Sequence, residues 1–213
     1  MQLKKSFFPA IEDEEITDLT VGDILRIAAK EDPDKVALVE TNMECELGQE
    51  WTYRELLQDS ERLAYNLLNH FNPGDKIAVW SPNTAEWVIL EFACALSGMV
   101  LVTVNPSYQA NELRYVLEQS QSSALYLIQE YRGNPMLEIA QKATEDLPNI
   151  KSIIDMDNKN TKKIQSEYYK LNSDRTTHLD SIDFKWSADD LLSNNYTLKP
   201  TGNYSESILF TPN

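Results

Sequence analysis

The chain has 213 residues, enough for one α/β domain or two small ones with a real buried core. Its 34 acidic residues outnumber 19 basic ones, a net charge of −15, with 42% of positions hydrophobic. That balance repels phosphates, which excludes a nucleic-acid binder and a protein that adheres to anionic membrane surfaces.

The first residues, MQLKKSFFPAIEDEEI, hold an apolar stretch too short for a secretory signal, followed at once by acidic residues. Residues 1–18 therefore read as a tail. A helix is predicted from Thr20-Val21-Gly22-Asp23, with Ile24, Leu25, Ile27 and Ala28 spaced to share one buried face. Asp32-Pro33-Asp34 breaks it. Val36 to Glu40 and Glu50 to Thr52 read as two short strands around a polar loop. Thr52 and Glu55 then form a capping-box pair, opening a helix whose apolar stripe is Leu56, Leu63 and Leu67 with Leu57, Ala64 and Leu68.

Asn72-Pro73-Gly74-Asp75 is a turn that delivers Lys76 to Trp80 as a continuous apolar strand, the pattern of a parallel strand buried on both faces. Asn83 is placed to cap the next helix, Thr84 to Ser97, with Glu86 in its first turn and Gly98 as its C-cap. This helix is apolar on nearly all sides, so it must pack against a sheet and against other elements as well. Trp80, Trp87 and Phe92 accordingly read as core.

Met99 to Val104 is the next strand and Gln109 to Gln119 a helix carrying Ala110, Leu113, Val116 and Leu117 on one side. Ala124 to Ile128, a helix from Asn134 to Glu145, and Ile150 to Asp155 continue the alternation. Strands alternating with helices give an α/β fold, a mainly parallel sheet flanked by helices and joined by right-handed crossovers. Residues 156–182 are polar and aperiodic, a loop or excursion. Trp186 to Leu192 reads as a short helix, and Ser207 to Thr211 as a last strand with no element after it.

The six glycines never cluster, so neither a dinucleotide fingerprint nor a Walker-type loop is present. No histidine stands near a candidate serine, and no pair of carboxylates forms an acid/base couple. Cys45 and Cys94 read as reduced thiols of a reducing compartment, and His70 and His178 lack ligand spacing, so no metal site is expected. The longest apolar run, from Met99 to Val104, is far below bilayer length. A soluble intracellular protein, most simply a cytoplasmic one, is the expectation. A receiver-like or flavodoxin-like domain also alternates strands and helices. No acidic cluster follows a first buried strand, however, and no loop is built for a flavin phosphate.

The segment WTYRELLQDSERLAYNLL, followed by GDKIAVWSPNTAEWVILEFACALSGMVLVTVNPSYQANELRYVLEQSQSSALYL, resembles the N-terminal part of AMP-forming acyl-CoA synthetases. Asn105-Pro106-Ser107-Tyr108 is most similar to the medium- and long-chain fatty-acyl branch. The similarity runs from about Leu19 to Asp155 and resumes near Asp183 to Thr211, implying an α/β lobe over 19–155 and the start of a following, incomplete lobe over 183–213. Members of this family use ATP and Mg²⁺ to convert a fatty acid to an acyl-adenylate, then transfer the acyl group to the thiol of CoA. Their Ser/Thr/Gly-rich phosphate loop follows a strand like Ile208-Leu209-Phe210-Thr211. Here Pro212-Asn213 stands in its place and the sequence stops.

The resemblance therefore implies a fragment truncated before the phosphate-binding loop, as by a frameshift or a misread exon. Alone it would bind none of these cofactors and be inactive. It assigns no catalytic residue. Asn105 and Ser107, in the turn after one strand, and Arg132, beyond the next, are the candidate CoA contacts it carries over. The alternative is a non-catalytic binding or interaction module derived from the same family. A fragment would expose apolar faces through which it could associate, whereas a finished module would carry polar ones.

Overall fold

The computed structural model describes residues 18–41 and 46–156, together with the backbone of two strands over 193–198 and 204–210. Residues 1–17, Cys45, the 157–182 stretch with His178, the helix anticipated over Trp186–Leu192, and Pro212-Asn213 lie outside the described residues. The elements in chain order are α1 (Val21–Glu31), β1 (Val36–Thr41), β2 (Leu47–Thr52), α2 (Tyr53–His70), β3 (Lys76–Trp80), α3 (Ala85–Ser97), β4 (Val100–Val104), α4 (Ala110–Ser120), β5 (Ala124–Leu127), α5 (Met136–Thr144), β6 (Ser152–Asp155), β7 (Ser193–Leu198) and β8 (Tyr204–Phe210).

Six strands make one sheet in the order β6-β5-β3-β4-β7-β8. All neighbours are parallel except β7 and β8, which pair antiparallel. The expected fold class holds: a mainly parallel α/β sheet with helices on both faces. Pleating sends alternate residues of β3 to opposite sides. Ile77 and Val79 join Leu101 and Tyr126 in a core covered by α2 and α3, through Ala64, Leu67, Leu90, Ala93 and Cys94. Ala78 and Trp80 join Val102, Val104, Leu125 and Leu127 in a second core covered by α4 and α5, through Leu113, Val116, Leu117, Met136 and Ala140.

β1 and β2 form a separate antiparallel hairpin. A third cluster, built on Leu25, Trp51, Leu56 and Ala85, holds the hairpin and α1 against α2 and α3. The Trp51 indole donates to Asp59 Oδ2 of α2 at 3.0 Å, fastening the hairpin from the helix side. α3 is thus covered by the sheet on one side and by α2, α1 and the hairpin on others, which accounts for its nearly uniform apolar character.

Local signals explain the helix boundaries. Thr52 and Glu55 form the expected capping box, each backbone N–H donating to the other's side chain. Thr20 and Asp23 form a second one at α1. Gly98 closes α3 in the left-handed region at φ 68°, its N–H donating to the Cys94 carbonyl.

Several expectations are corrected. The face of α1 that turns inward carries Gly22 and Leu25, whereas Ile24 and Ile27 are 53% and 39% exposed. A Cβ at position 22 would lie 3.1 Å from Leu96 Cδ2, so the helix is rolled to bring its glycine onto α3. The α3 N-cap is Thr84 rather than Asn83: the Thr84 hydroxyl accepts the Trp87 N–H at 3.2 Å, and the helix begins one residue later. β2 starts at Leu47, three residues before the predicted strand, because its first half is an exposed hairpin arm that pairs with β1 without needing an apolar pattern. β7, which lacks any apolar alternation, pairs in parallel with β4. No helix among the described residues is long and apolar enough to cross a membrane.

Glu91 lies in the apolar helix α3, and burial raises its carboxyl above the ordinary range. The sign follows from linkage. A carboxyl raised in the folded state adds stability while protonated, and that contribution is lost as pH rises through its folded-state value. Glu91→Gln is therefore expected to raise the urea midpoint at about pH 7.5 while changing it little at about pH 4, where the native group is largely protonated. Equal effects at both pH values would refute the assignment.

Candidate functional site

Consecutive strands β3 and β4 are neighbours in the sheet, but the helices that follow them lie on opposite faces, α3 on one and α4 on the other. The connections leaving their carboxyl ends therefore diverge and open a crevice between them, the position at which open parallel sheets bind ligands. Three loops border this edge: 81–84 after β3, 105–109 after β4 and 128–135 after β5.

The loop after β4 is a closed turn. Asn105 Oδ1 accepts the Ser107 N–H at 2.9 Å, and the Asn105 carbonyl accepts the Tyr108 N–H at 3.0 Å. The same carbonyl accepts the Trp80 indole N–H at 2.9 Å, a bond spanning the crevice from β3. Trp80 is completely buried, so its one polar atom needs a partner, and the turn supplies it. The Gln109 N–H donates to the Glu112 carboxylate at 2.7 Å. The backbone donors of residues 107 to 109 are thus all engaged, and the loop offers an anion no cradle of free N–H groups. What it presents outward is the Asn105 Nδ2 and the Ser107 hydroxyl, both on exposed residues.

The third loop carries Arg132. Tyr131 and Asn134 exchange two backbone hydrogen bonds, at 3.0 and 2.9 Å, around Arg132 and Gly133. Both central residues have positive φ, 51° and 78°, the signature of a type I′ turn. Gly133 adopts this freely, but an arginine in the left-handed region is uncommon and strained by about 1 kcal/mol. An outlier of that kind, once observed, is a reason to ask what the side chain does there. The Arg132 guanidinium lies 5.1 Å from the centre of the Tyr131 ring, which steadies the long side chain at its base. Arg132 is the one cation in the three loops, with Glu130 two residues before it.

Asn105 and Ser107 belong to one turn, and Gln109 joins that turn to the Arg132 hairpin through Nε2, which donates to Asn134 Oδ1 at 3.2 Å. Behind the loop, Tyr108 is buried, and burial followed by the nearby Glu112 raises its phenol above the ordinary value, keeping it neutral. Sequence reasoning missed three contributors: Trp80, read only as core, and Gln109 and Asn134, read only as helix ends. For Trp80 the signal was available, since a buried indole requires an acceptor.

No group of three or more His, Cys, Asp or Glu among the described residues could hold a metal ion. Cys94 is fully buried, and desolvation with the nearby Glu91 pushes its thiol far up, so it is no nucleophile. The arrangement is a set of hydrogen-bond donors and one guanidinium on a rigid edge. Groups of this kind suit a polar or phosphorylated ligand.

A family model described as AMP-binding enzyme matches residues 25–198. Among curated proteins, the mitochondrial medium-chain acyl-CoA ligase ACSF2 of Rattus norvegicus is 30% identical over 166 residues, covering 71% of this chain and 26% of the relative. Its Homo sapiens counterpart gives the same identity and coverage. Among solved structures, a Mycobacterium tuberculosis fatty acyl CoA synthetase matches with a TM-score of 0.70 at 22% identity, over 91% of this chain and 34% of that one. The inhibitor-bound N-terminal domain of FACL13 from the same organism also gives 0.70, at 23% identity, over 91% and 44%. These structural likenesses establish the fold. The chain spans about a quarter of the length of the curated relatives.

Trp80→Phe keeps an aromatic ring in the core but removes the donor to Asn105 and leaves a small void. A loss of about 2 kcal/mol is expected in urea denaturation. An unchanged midpoint would show that the crevice-spanning bond is dispensable.

Proposed function

We propose a function from one premise: this chain belongs to the AMP-binding enzyme family. It is the N-terminal part of an AMP-forming fatty-acyl-CoA synthetase. The observation that carries this reading is the family match across residues 25–198. In the intact enzyme, a fatty-acid carboxylate would attack the α-phosphorus of Mg²⁺-bound ATP, giving an acyl-adenylate and releasing pyrophosphate. The CoA thiol would then attack the acyl carbon and release AMP. Fatty acid, ATP and CoA are the partners this assigns to the whole enzyme, inside the cell.

The part played by this chain is binding and scaffolding. Asn105 Nδ2, the Ser107 hydroxyl and the Arg132 guanidinium are the groups offered to the nucleotide end of CoA, and this contact belongs to the isolated chain as well, in place of the expectation that it binds no cofactor alone. Donors of this kind suit phosphate oxygens, and arginine suits them best because its planar fork can engage two at once. None of the described residues is assigned to the adenylation step, and inactivity of the 213-residue chain on its own is part of this reading.

The competing reading is a self-contained interaction module. One observation weighs against it. Ile24, Ile27, Val36, Val39 and Leu47, all in α1 and the hairpin, are 37% to 70% exposed. A freestanding module would present polar groups at such positions, whereas a piece of a larger fold has further structure to meet there.

The test is ATP–pyrophosphate exchange with the purified chain, ATP, Mg²⁺ and medium- and long-chain fatty acids. Exchange at background level is the expected outcome. Clear fatty-acid-dependent exchange would overturn the inactive-fragment reading.

A further inference from the structure

We propose that Gln109 is a positioning residue: it sets the Arg132 hairpin against the Asn105–Ser107 turn so that one phosphorylated ligand meets both. The proposal rests on the reading of these loops as the CoA nucleotide contact and adds what holds them in register. Gln109 stands at the N-cap of α4, where its own N–H is committed to Glu112 at 2.7 Å. Its side-chain amide donates to Asn134 Oδ1 at 3.2 Å across 25 residues of sequence. Asn134 is the residue that closes the Arg132 hairpin onto Tyr131. On its other side, the Gln109 loop is anchored to the central strand through Asn105 and the Trp80 indole. Hydrogen bonds at either end, joined by the covalent backbone of residues 105–109, therefore link β3 to the turn that carries Arg132.

The Gln109–Asn134 bond is exposed and neutral, the class of bond that adds least to folding stability. Its consequence is geometric. Arg132 sits at the tip of a two-residue turn whose own backbone bonds fix its shape but not its position relative to Ser107. Holding that position before the ligand arrives removes part of the ordering cost of binding. A glutamine with only a structural role would have no effect of this kind.

The experiment is a titration of CoA into the full 213-residue chain as wild type, Arg132→Ala, Gln109→Leu and the double variant, with thermal midpoints recorded for each. Arg132→Ala should weaken binding about tenfold and Gln109→Leu about threefold, scales set by the loss of one charged and one neutral hydrogen bond. Because Gln109 acts through Arg132, the double variant should bind no more weakly than Arg132→Ala alone. The amide resonances of Arg132 and Gly133 should move in Gln109→Leu without ligand, while the midpoint stays unchanged.

If Arg132→Ala weakens binding and Gln109→Leu does not, the positioning role is overturned and the site reading stands. Additive losses in the double variant also overturn it, because Gln109 would then act independently of Arg132. If Arg132→Ala binds like wild type, or the chain does not bind CoA, the site reading fails. The unliganded resonances then decide the register claim by themselves: unmoved signals at Arg132 and Gly133 overturn it, and moved ones support it.

Discussion

Everything in this molecule depends on β3 being buried from both sides. Four of its five residues, Ile77, Ala78, Val79 and Trp80, are each 1% exposed or less, and they alternate between the two cores, as the residues of its neighbour β5 also do. β3 also pairs on both edges, with β4 and β5, so its backbone polar groups are satisfied by parallel ladders. Burying a large apolar side chain contributes about 1.5–3 kcal/mol, and here the contribution falls on both faces at once. A polar residue would disturb the layer its face meets, α2 and α3 at Ile77 and Val79, α4 and α5 at Ala78 and Trp80. That explains why the segment reads as an unbroken apolar run rather than as the alternation of a half-exposed strand.

The binding edge follows from the same strand. With β3 at the centre and its successor beside it, the next strand, β5, returns to the far side of β3, and the connecting helices divide between the faces. The crevice between the β3 and β4 ends is a consequence of that winding, not of any special loop sequence. What the loops add is rigidity: Trp80 reaches across from the core to hold the Asn105 carbonyl, and the 105–109 turn saturates its own backbone donors. The chemistry left for a ligand then comes from side chains alone, with the single positive charge of Arg132 among them. Donors and a guanidinium held in this way suit a phosphorylated ligand.

Much of the fold was legible in the sequence because it is written in short-range signals. The Thr52–Glu55 capping box, Gly98 at a helix end, and the apolar runs 76–80, 99–104 and 124–128 each name their own structure within a few residues. Failures came where a distant partner decides. Ile24 and Ile27 have the spacing of a buried stripe, yet Gly22 packing on Leu96 rolls α1 so that they face outward. The polar sequence Ser193–Leu198 gives no strand pattern, and only pairing with β4 makes it one. Asn105, Ser107 and Arg132 were reached through family resemblance, not through any pattern of their own. Gln109 and Asn134 could not be linked from sequence at all, since two polar residues 25 apart carry no sign that a sheet brings their loops together. The Arg132-Gly133 turn was readable in principle, as glycine between polar residues marks a tight turn, but its left-handed arginine was not.

The central claim is that the carboxyl edge of β3, β4 and β5 is where this lobe meets a nucleotide. Amide hydrogen exchange of the full chain with and without CoA tests it directly, because protection is read segment by segment. The account predicts added protection in the segments covering 105–109 and 129–135, with α1 and the β1–β2 hairpin unchanged. Protection confined to residues 21–52, or none anywhere at saturating CoA, would contradict it.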